Sequence, residues 1–323
     1  MKSQFSRFSI FFLTLLLAIL PFWLLGSEPS STQGPTNETV NVDLVDLYIS
    51  AVDKKGHFIS DLRADELSVQ ENGIPQQISH FSDSSGQDPN MPLSLSFVMD
   101  SSASMDEDID DIKKLDMARD AGLLLLSALG PYDKMQLITF NETPTPSEFT
   151  GDHNKLAEQL NSVRIHFRHT ALFDAIDFAI DQLDKEYGRK ILMVCSDGQD
   201  NLSKKKINNI LDKAQNISDL TVVVFGTITY SYGMNWYGAV RKANDGKDNL
   251  QNLATKTGGY AFFPENRKQI GQVQELIKGF VRSQYSLAYR STNPNADGTW
   301  RQINIACKRK GVQLHYRNGY YAR

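Results

Sequence analysis

Two short apolar runs constrain this chain more than any other feature, because each leads into an aspartate. Residues 93–99 (LSLSFVM) run into Asp100, and residues 191–195 (ILMVC) run through Ser196 into Asp197. An unbroken apolar run of this length reads as a strand buried on both faces, the pattern of a parallel sheet. In an open α/β sheet, ligands bind at the carboxyl ends of the strands, so both acids are expected on one edge. Hydroxyls accompany them: Ser102 and Ser104 follow Asp100 in the segment DSSAS, and Thr170 opens the helix-like segment TALFDAI. Taken singly, DSSAS is a turn capping the next helix, Thr170 an N-cap, and Asp197-Gly198 a turn. Taken together at the ends of neighbouring elements, Asp100, Ser102, Ser104, Thr170 and Asp197 read as one site of hard oxygen donors. Such a set suits Mg²⁺, or the similar Mn²⁺ or Ca²⁺, better than zinc or copper.

From residue 93 onward the pattern alternates strands with amphipathic helices. Strands are expected at 134–140, 190–195 and 220–226, and helices at 111–129, 171–186, 203–216, 250–257 and 266–282. That succession predicts a doubly wound, Rossmann-like α/β domain with a mostly parallel sheet covered on both faces. The flanks read differently. Residues 41–52 and 67–70 are strand-like and Asn72-Gly73 is a tight hairpin signal, while β patterns return at 285–289, 299–306 and 312–317. A lone hairpin is marginal in water, so residues 41–83 and 284–323 are expected to pack together as a small β-sandwich. The α/β domain, residues 92–281, would then be an insertion in that sandwich, with 82–90 as a linker.

At the N-terminus, Lys2 and Arg7 precede an apolar stretch over 8–26, and a Pro/Ser/Thr-rich linker follows over 27–40. This is the pattern of a signal peptide or an uncleaved membrane anchor, with the rest of the chain exported. The protein is therefore expected in the periplasm, secreted, or held on the cytoplasmic membrane by residues 1–26 alone. The net charge of −4 gives no electrostatic footprint for nucleic acid. Lys204, Lys205 and Lys206 read as the solvated first turn of a helix. Two cysteines, Cys195 and Cys307, are too few for a disulfide framework and read as separate buried thiols, and the scattered histidines support no zinc site.

The three fragments, D-x-S-x-S after a strand, a lone Thr opening a helix, and Asp-Gly after a later strand, resemble the metal-ion-dependent adhesion site of von Willebrand factor type A domains. The resemblance covers roughly residues 92–281. The flanking segments are similar to those of a bacterial, acidobacterial-type family of von Willebrand-related extracytoplasmic proteins. Ser101 and Ala103 stand where that site often has glycine, and His169 precedes Thr170 where glycine is usual. The resemblance implies that Ser102 and Ser104 touch the ion directly, that Asp100 and Asp197 act mainly through water, and that Thr170 does either. It also implies that the last open position takes an Asp or Glu carboxylate from a protein partner. The acidic run Asp106 to Asp111 reads as carboxylates at a helix N-terminus. Within it, Glu107 and Asp108 stand at an offset similar to an adjacent calcium site of integrin β-subunit domains, which would make them ligands of a second cation.

The expected function is thus a non-enzymatic, divalent-metal-dependent module for adhesion or assembly. A Mg²⁺-dependent hydrolase or phosphotransferase on the same fold is the alternative. Against it, the chain has no G-x-x-x-x-G-K-[ST] or G-x-G-x-x-G loop, and Ser102 occupies the place where a phosphoryl-transfer site would want a second carboxylate. A structural spacer that binds metal without a partner is the third reading.

Overall fold

A computed structural model describes residues 44–84, 92–166, 169–217, 219–228 and 236–323. The proposed signal or anchor at 1–26, the linker at 27–40 and most of the linker at 82–90 lie outside the described residues.

In chain order the strands are β1 (Leu44–Val52), β2 (Leu67–Glu71), β3 (Ile74–Gln76), β4 (Ile78–Ser84), β5 (Leu93–Asp100), β6 (Asp108–Ile109), β7 (Ile112–Lys113), β8 (Lys134–Phe140) and β9 (Pro144–Pro146). They continue as β10 (Arg189–Ser196), β11 (Leu220–Gly226), β12 (Ala261–Phe262), β13 (Gln284–Arg290), β14 (Trp300–Cys307), β15 (Gln313–His315) and β16 (Gly319–Tyr321). The α-helices are α1 (Lys114–Ala128), α2 (His153–Ser162), α3 (Leu172–Asp184), α4 (Ile207–Gln215), α5 (Trp236–Lys256) and α6 (Arg267–Arg282).

The central sheet has the order β12-β11-β10-β5-β8-β9, parallel except for β9. Every residue of β5, β10 and β11 is buried, which is why these strands read as continuous apolar runs rather than alternating ones. Helices α1, α2 and α6 cover one face around Phe97, Met135 and Phe280, and α3, α4 and α5 cover the other around Val98, Ile176 and Leu253. The chain leaves β5 toward β8 on one side and later returns as β10 on the other, so the strand order reverses between β5 and β10. That reversal opens a crevice beyond their carboxyl ends.

Two four-stranded antiparallel sheets, β15-β1-β13-β4 and β16-β14-β2-β3, face each other across a core of Leu47, Ile49, Val69, Tyr285, Leu287, Ile303 and Ile305. Each sheet mixes strands from both ends of the chain, so neither flank completes the sandwich alone. The β2–β3 hairpin turns on Asn72 and Gly73, with φ of 49° and 81°, the left-handed pair that a two-residue hairpin requires. The inserted domain is tied to the sandwich at several points, including the Thr257–Arg317 bridge and the Phe58–Phe280 and Tyr260–His315 ring contacts. Only Ser283 separates α6 from β13, and Arg317 of the C-terminal segment donates to the carbonyls of Gln215 and Ile217 at the end of α4.

Several sequence-based boundaries are corrected. Helix α1 starts at Lys114, not 111, because the acidic run folds as the β6–β7 ribbon. Its turn is Asp110-Asp111, both in the left-handed region at 52° and 63°, which aspartate tolerates better than most side chains. The run is therefore not the first turn of a helix. Lys204 to Lys206 precede α4 rather than forming its first turn. Helix α5 is 21 residues long, well beyond the expected 250–257. Helix α2 was not anticipated; it buries only Leu156 and Leu160, spaced i, i+4, and Asp152 caps it by accepting from the Asn154 and Lys155 amides. Cys195 is buried, whereas Cys307 is only half-buried; both are free thiols.

Candidate metal centre

Strand pairing places the two acids. Met99 of β5 is opposite Cys195 of β10, so Asp100 and Ser196 lie side by side and Asp197 comes one residue further along the same edge. The Asp100 carboxylate accepts from the Ser102 amide through Oδ1 at 2.9 Å and from the Ser196 hydroxyl through Oδ2 at 2.8 Å. Asp197 is held in the same way by its own loop: Gln199 donates its backbone amide to Oδ1 at 3.0 Å and its side-chain amide to Oδ2 at 2.9 Å. Both carboxylates are buried. Their rotamers are therefore held by short local hydrogen bonds.

The hydroxyls follow from the turn after β5. Ser102 caps the short turn Ala103–Asp106, and its Oγ lies 3.2 Å from Ser104 Oγ. Thr170 is buried ahead of α3, and among the described residues no hydrogen bond engages its hydroxyl. Its loop is stitched to the loop after β10. The Thr170 amide donates to Asn201 Oδ1 and the Leu172 amide to Asp200 Oδ1, each at 2.9 Å, while the Asn201 and Leu202 amides donate to the Thr170 carbonyl. On the other side, the Ala171 amide donates to the Asn141 carbonyl and Ser101 donates to the Phe140 carbonyl, joining both loops to the end of β8. All three fragments thus meet on one sheet edge.

The loop after β10 needs glycine for its approach to α5. Gly198 has a φ of 78°, and a Cβ added to Gly246 of α5 would lie 2.6 Å from the Gly198 carbonyl oxygen. Helix backbone and loop backbone are in contact, which fixes the height of Asp197 above the sheet.

Burial first, and then the neighbouring Asp197 carboxylate, push the Asp100 carboxyl up to about 7, against the Ser102 and Ser196 hydrogen bonds. A carboxylate raised for these reasons is one that a cation would relieve. Burial and Asp100 also push the Cys195 thiol well up, so it offers no thiolate to a soft metal. Among the described residues no three or more His, Cys, Asp or Glu side chains are grouped so that they could hold a metal ion by themselves. An ion held here would therefore depend on the hydroxyls and on water, which fits a hard divalent cation.

Glu107 and Asp108, expected as ligands of a second cation, are not gathered into such a site. Glu107 Oε2 accepts from Lys114 Nζ at 2.7 Å, and Asp108 pairs with Lys113 at 3.2 Å. His169 is exposed beside Thr170. Sequence reasoning missed Ser196, Gln199, Asp200 and Asn201, which orient the site, and Lys114, which reaches it from the start of α1. The run SDGQDN around Asp197 carried the signal for four of them, since four polar side chains flanking a strand-end acid have few other uses. Nothing local marked Lys114.

Residues 95–199 match the family model of the von Willebrand factor type A domain. No curated protein matches the chain. Among solved structures, an aerotolerance-related membrane protein from Bacteroides fragilis is 18% identical over 58% of this chain and 98% of that one, with a TM-score of 0.46. A von Willebrand factor type A protein from Catenulispora acidiphila is 9% identical over 86% of this chain and 75% of that one, also at 0.46. Proximal thread matrix protein 1 from the mussel byssus, described with a zinc-occupied MIDAS motif, is 15% identical over 65% of this chain and 50% of that one, at 0.47.

Proposed function

We propose that this chain, which carries a von Willebrand factor type A domain inserted in a β-sandwich, is a metal-dependent protein-binding module displayed outside the cytoplasm. The observation that carries the reading is the donor set on one edge: the Ser102 and Ser104 hydroxyls 3.2 Å apart, the hydroxyl of the buried residue Thr170, and two buried carboxylates already oriented by Ser196 and Gln199. Mg²⁺, Mn²⁺ or Ca²⁺ held by Asp100, Ser102, Ser104, Thr170 and Asp197 would carry few formal negative charges from the protein. It would remain attractive to one more anionic oxygen, and an Asp or Glu carboxylate of a protein partner supplies one. The proposed reading is non-catalytic, because Ser102 occupies the place where a phosphoryl-transfer site would want a second carboxylate and the sequence carries no phosphate-binding glycine loop.

Isothermal calorimetry with Mg²⁺ and Mn²⁺ tests the metal, and a short aspartate-containing peptide tests the carboxylate. Thr170→Ala should weaken peptide binding in Mg²⁺ more than it weakens Mg²⁺ binding, since the serines and acids still hold the ion. Equal peptide affinity in Mg²⁺ and in EDTA would sink the carboxylate mode.

Export follows from Lys2, Arg7 and the apolar stretch over 8–26. Among the described residues no helix is long and apolar enough to cross a membrane. A reporter fused after Arg323 should appear beyond the cytoplasmic membrane, and deletion of residues 1–26 should retain it inside. Export of the truncated chain would refute this assignment.

A further inference from the structure

Lys114 opens α1 with its side chain buried, only 1% exposed. Its ammonium donates to Glu107 Oε2 at 2.7 Å and stands 3.8 Å from Asp197 Oδ2. Lysine is almost never fully buried unless paired, and here both partners are carboxylates of unequal character. Asp197 is 2% exposed on its side chain and belongs to the candidate metal centre, whereas Glu107 is 46% exposed and lies just ahead of the β6–β7 ribbon. The candidate centre thus has a basic side chain of the protein's own in contact with one of the acids that would face a metal ion. Glu107 pulls the ammonium toward solvent while Asp197 pulls it toward the site.

Resting on the metal reading above, we propose that Lys114 is a resident counter-cation of the metal centre. It positions Asp197 while no ion is bound, and it weakens the grip on the ion once one arrives, with Glu107 setting the strength of that opposition. The physical basis is direct. A unit charge about 4 Å from a carboxylate attracts it far more strongly when both are buried than it would in water. It therefore stabilises the pair Asp100 and Asp197 when they face each other without metal. The same charge repels an incoming divalent ion. Affinity is kept moderate while the empty site stays preformed, because neither acid has to swing away from the other to relieve repulsion.

Two substitutions separate this role from simple packing, because they are expected to act in opposite directions. Lys114→Met keeps most of the stem volume and removes the charge; metal-free protein should melt at a lower temperature, while Mg²⁺ binding by calorimetry should tighten on the order of tenfold. Glu107→Gln removes the outward pull from a half-exposed position and leaves the lysine wholly on Asp197. It should fold normally and bind Mg²⁺ about threefold or more weakly. A lysine that merely filled space would give lost stability and equal or poorer metal binding in Lys114→Met, and no change in Glu107→Gln. If wild-type protein binds Mg²⁺ but Lys114→Met binds it no more tightly, or Glu107→Gln binds it no more weakly, the counter-cation role is wrong and the metal reading stands. If wild-type protein binds no divalent ion at all, both fall together.

Discussion

Asp100→Asn is expected to stabilise the metal-free protein at pH 8 while removing most of its response to Mg²⁺. The Asp100 carboxyl is raised to about 7 by burial and by Asp197, whereas in the unfolded chain it would titrate near 3.8. A group whose folded value is raised contributes its full stability below the unfolded value and loses it as pH rises through the folded one. Metal-free wild type should therefore lose stability between about pH 4 and pH 7, by something on the order of a few kcal/mol. Asparagine cannot ionise, and its amide can still offer an acceptor to the Ser102 amide and a donor to Ser196, so this loss should vanish. The same neutrality costs the ion an anionic partner. Loss of a partner that acts mainly through water typically weakens a metal site about 10- to 100-fold. In wild type, saturating Mg²⁺ should reverse the pH trend, because the ion replaces the proton and its binding stabilises the native state in proportion to its concentration over Kd. Thermal melts at pH 5 and pH 8, with and without Mg²⁺, check all four corners. Equal Mg²⁺-induced shifts in wild type and Asp100→Asn would remove Asp100 from the site.

How much of this was legible in the sequence follows from where the information sits. Asp100 and Asp197 could be placed because each terminates a strand buried on both faces, and such strands announce themselves as apolar runs with polar ends. Thr170 could be placed because the helix behind it carries a strong 3.6-residue pattern, with Leu172, Ala175, Ile176, Ala179, Ile180 and Leu183 all buried. The pairing of the two terminal segments followed from the weakness of either alone. What escaped was non-local or marginal. Lys114 carried no signal of its own, because its burial and its contact with Asp197 depend on residues far away in the chain. The β6–β7 ribbon is a few residues of pairing around two left-handed aspartates, and its composition is equally that of a helix N-terminus. Helix α2 rests on one cap and two leucines, below what periodicity alone resolves. The second-cation reading of Glu107 and Asp108 did not foresee the lysines that contact them, Lys114 at Glu107 and Lys113 at Asp108.

The other large effect lies in the sandwich, where Glu71→Ala should destabilise the protein by about 3–5 kcal/mol, the usual consequence of stranding one member of a buried ion pair. Glu71 of β2 and Arg301 of β14 are both buried, and Arg301 Nη1 reaches Glu71 Oε1 at 3.3 Å. The carboxylate also accepts from the Tyr289 hydroxyl at 2.9 Å, the Tyr320 hydroxyl at 3.0 Å and the Ser291 hydroxyl at 2.7 Å. Burial and this carboxylate push both phenols up, Tyr320 to about 12, so they remain donors. Arg301 also donates to the Asn293 and Asn295 carbonyls and pairs with Asp297 at 3.5 Å. One acid from the N-terminal segment is therefore saturated by donors from β13, β14, β16 and the loop after β13, spanning both sheets of the sandwich. Alanine would deprive the buried Arg301 guanidinium, the buried Tyr289 phenol and the half-buried Tyr320 phenol of this acceptor. Replacing both charges, Glu71→Leu with Arg301→Met, should recover a large part of the loss, since well-packed apolar pairs often match buried ion pairs. Urea unfolding measures each variant, and the double substitution measures the coupling. If Glu71→Ala unfolded within 1 kcal/mol of wild type, or if the double variant were no more stable than the single one, the cluster would not be what joins the two ends of the chain around the inserted domain.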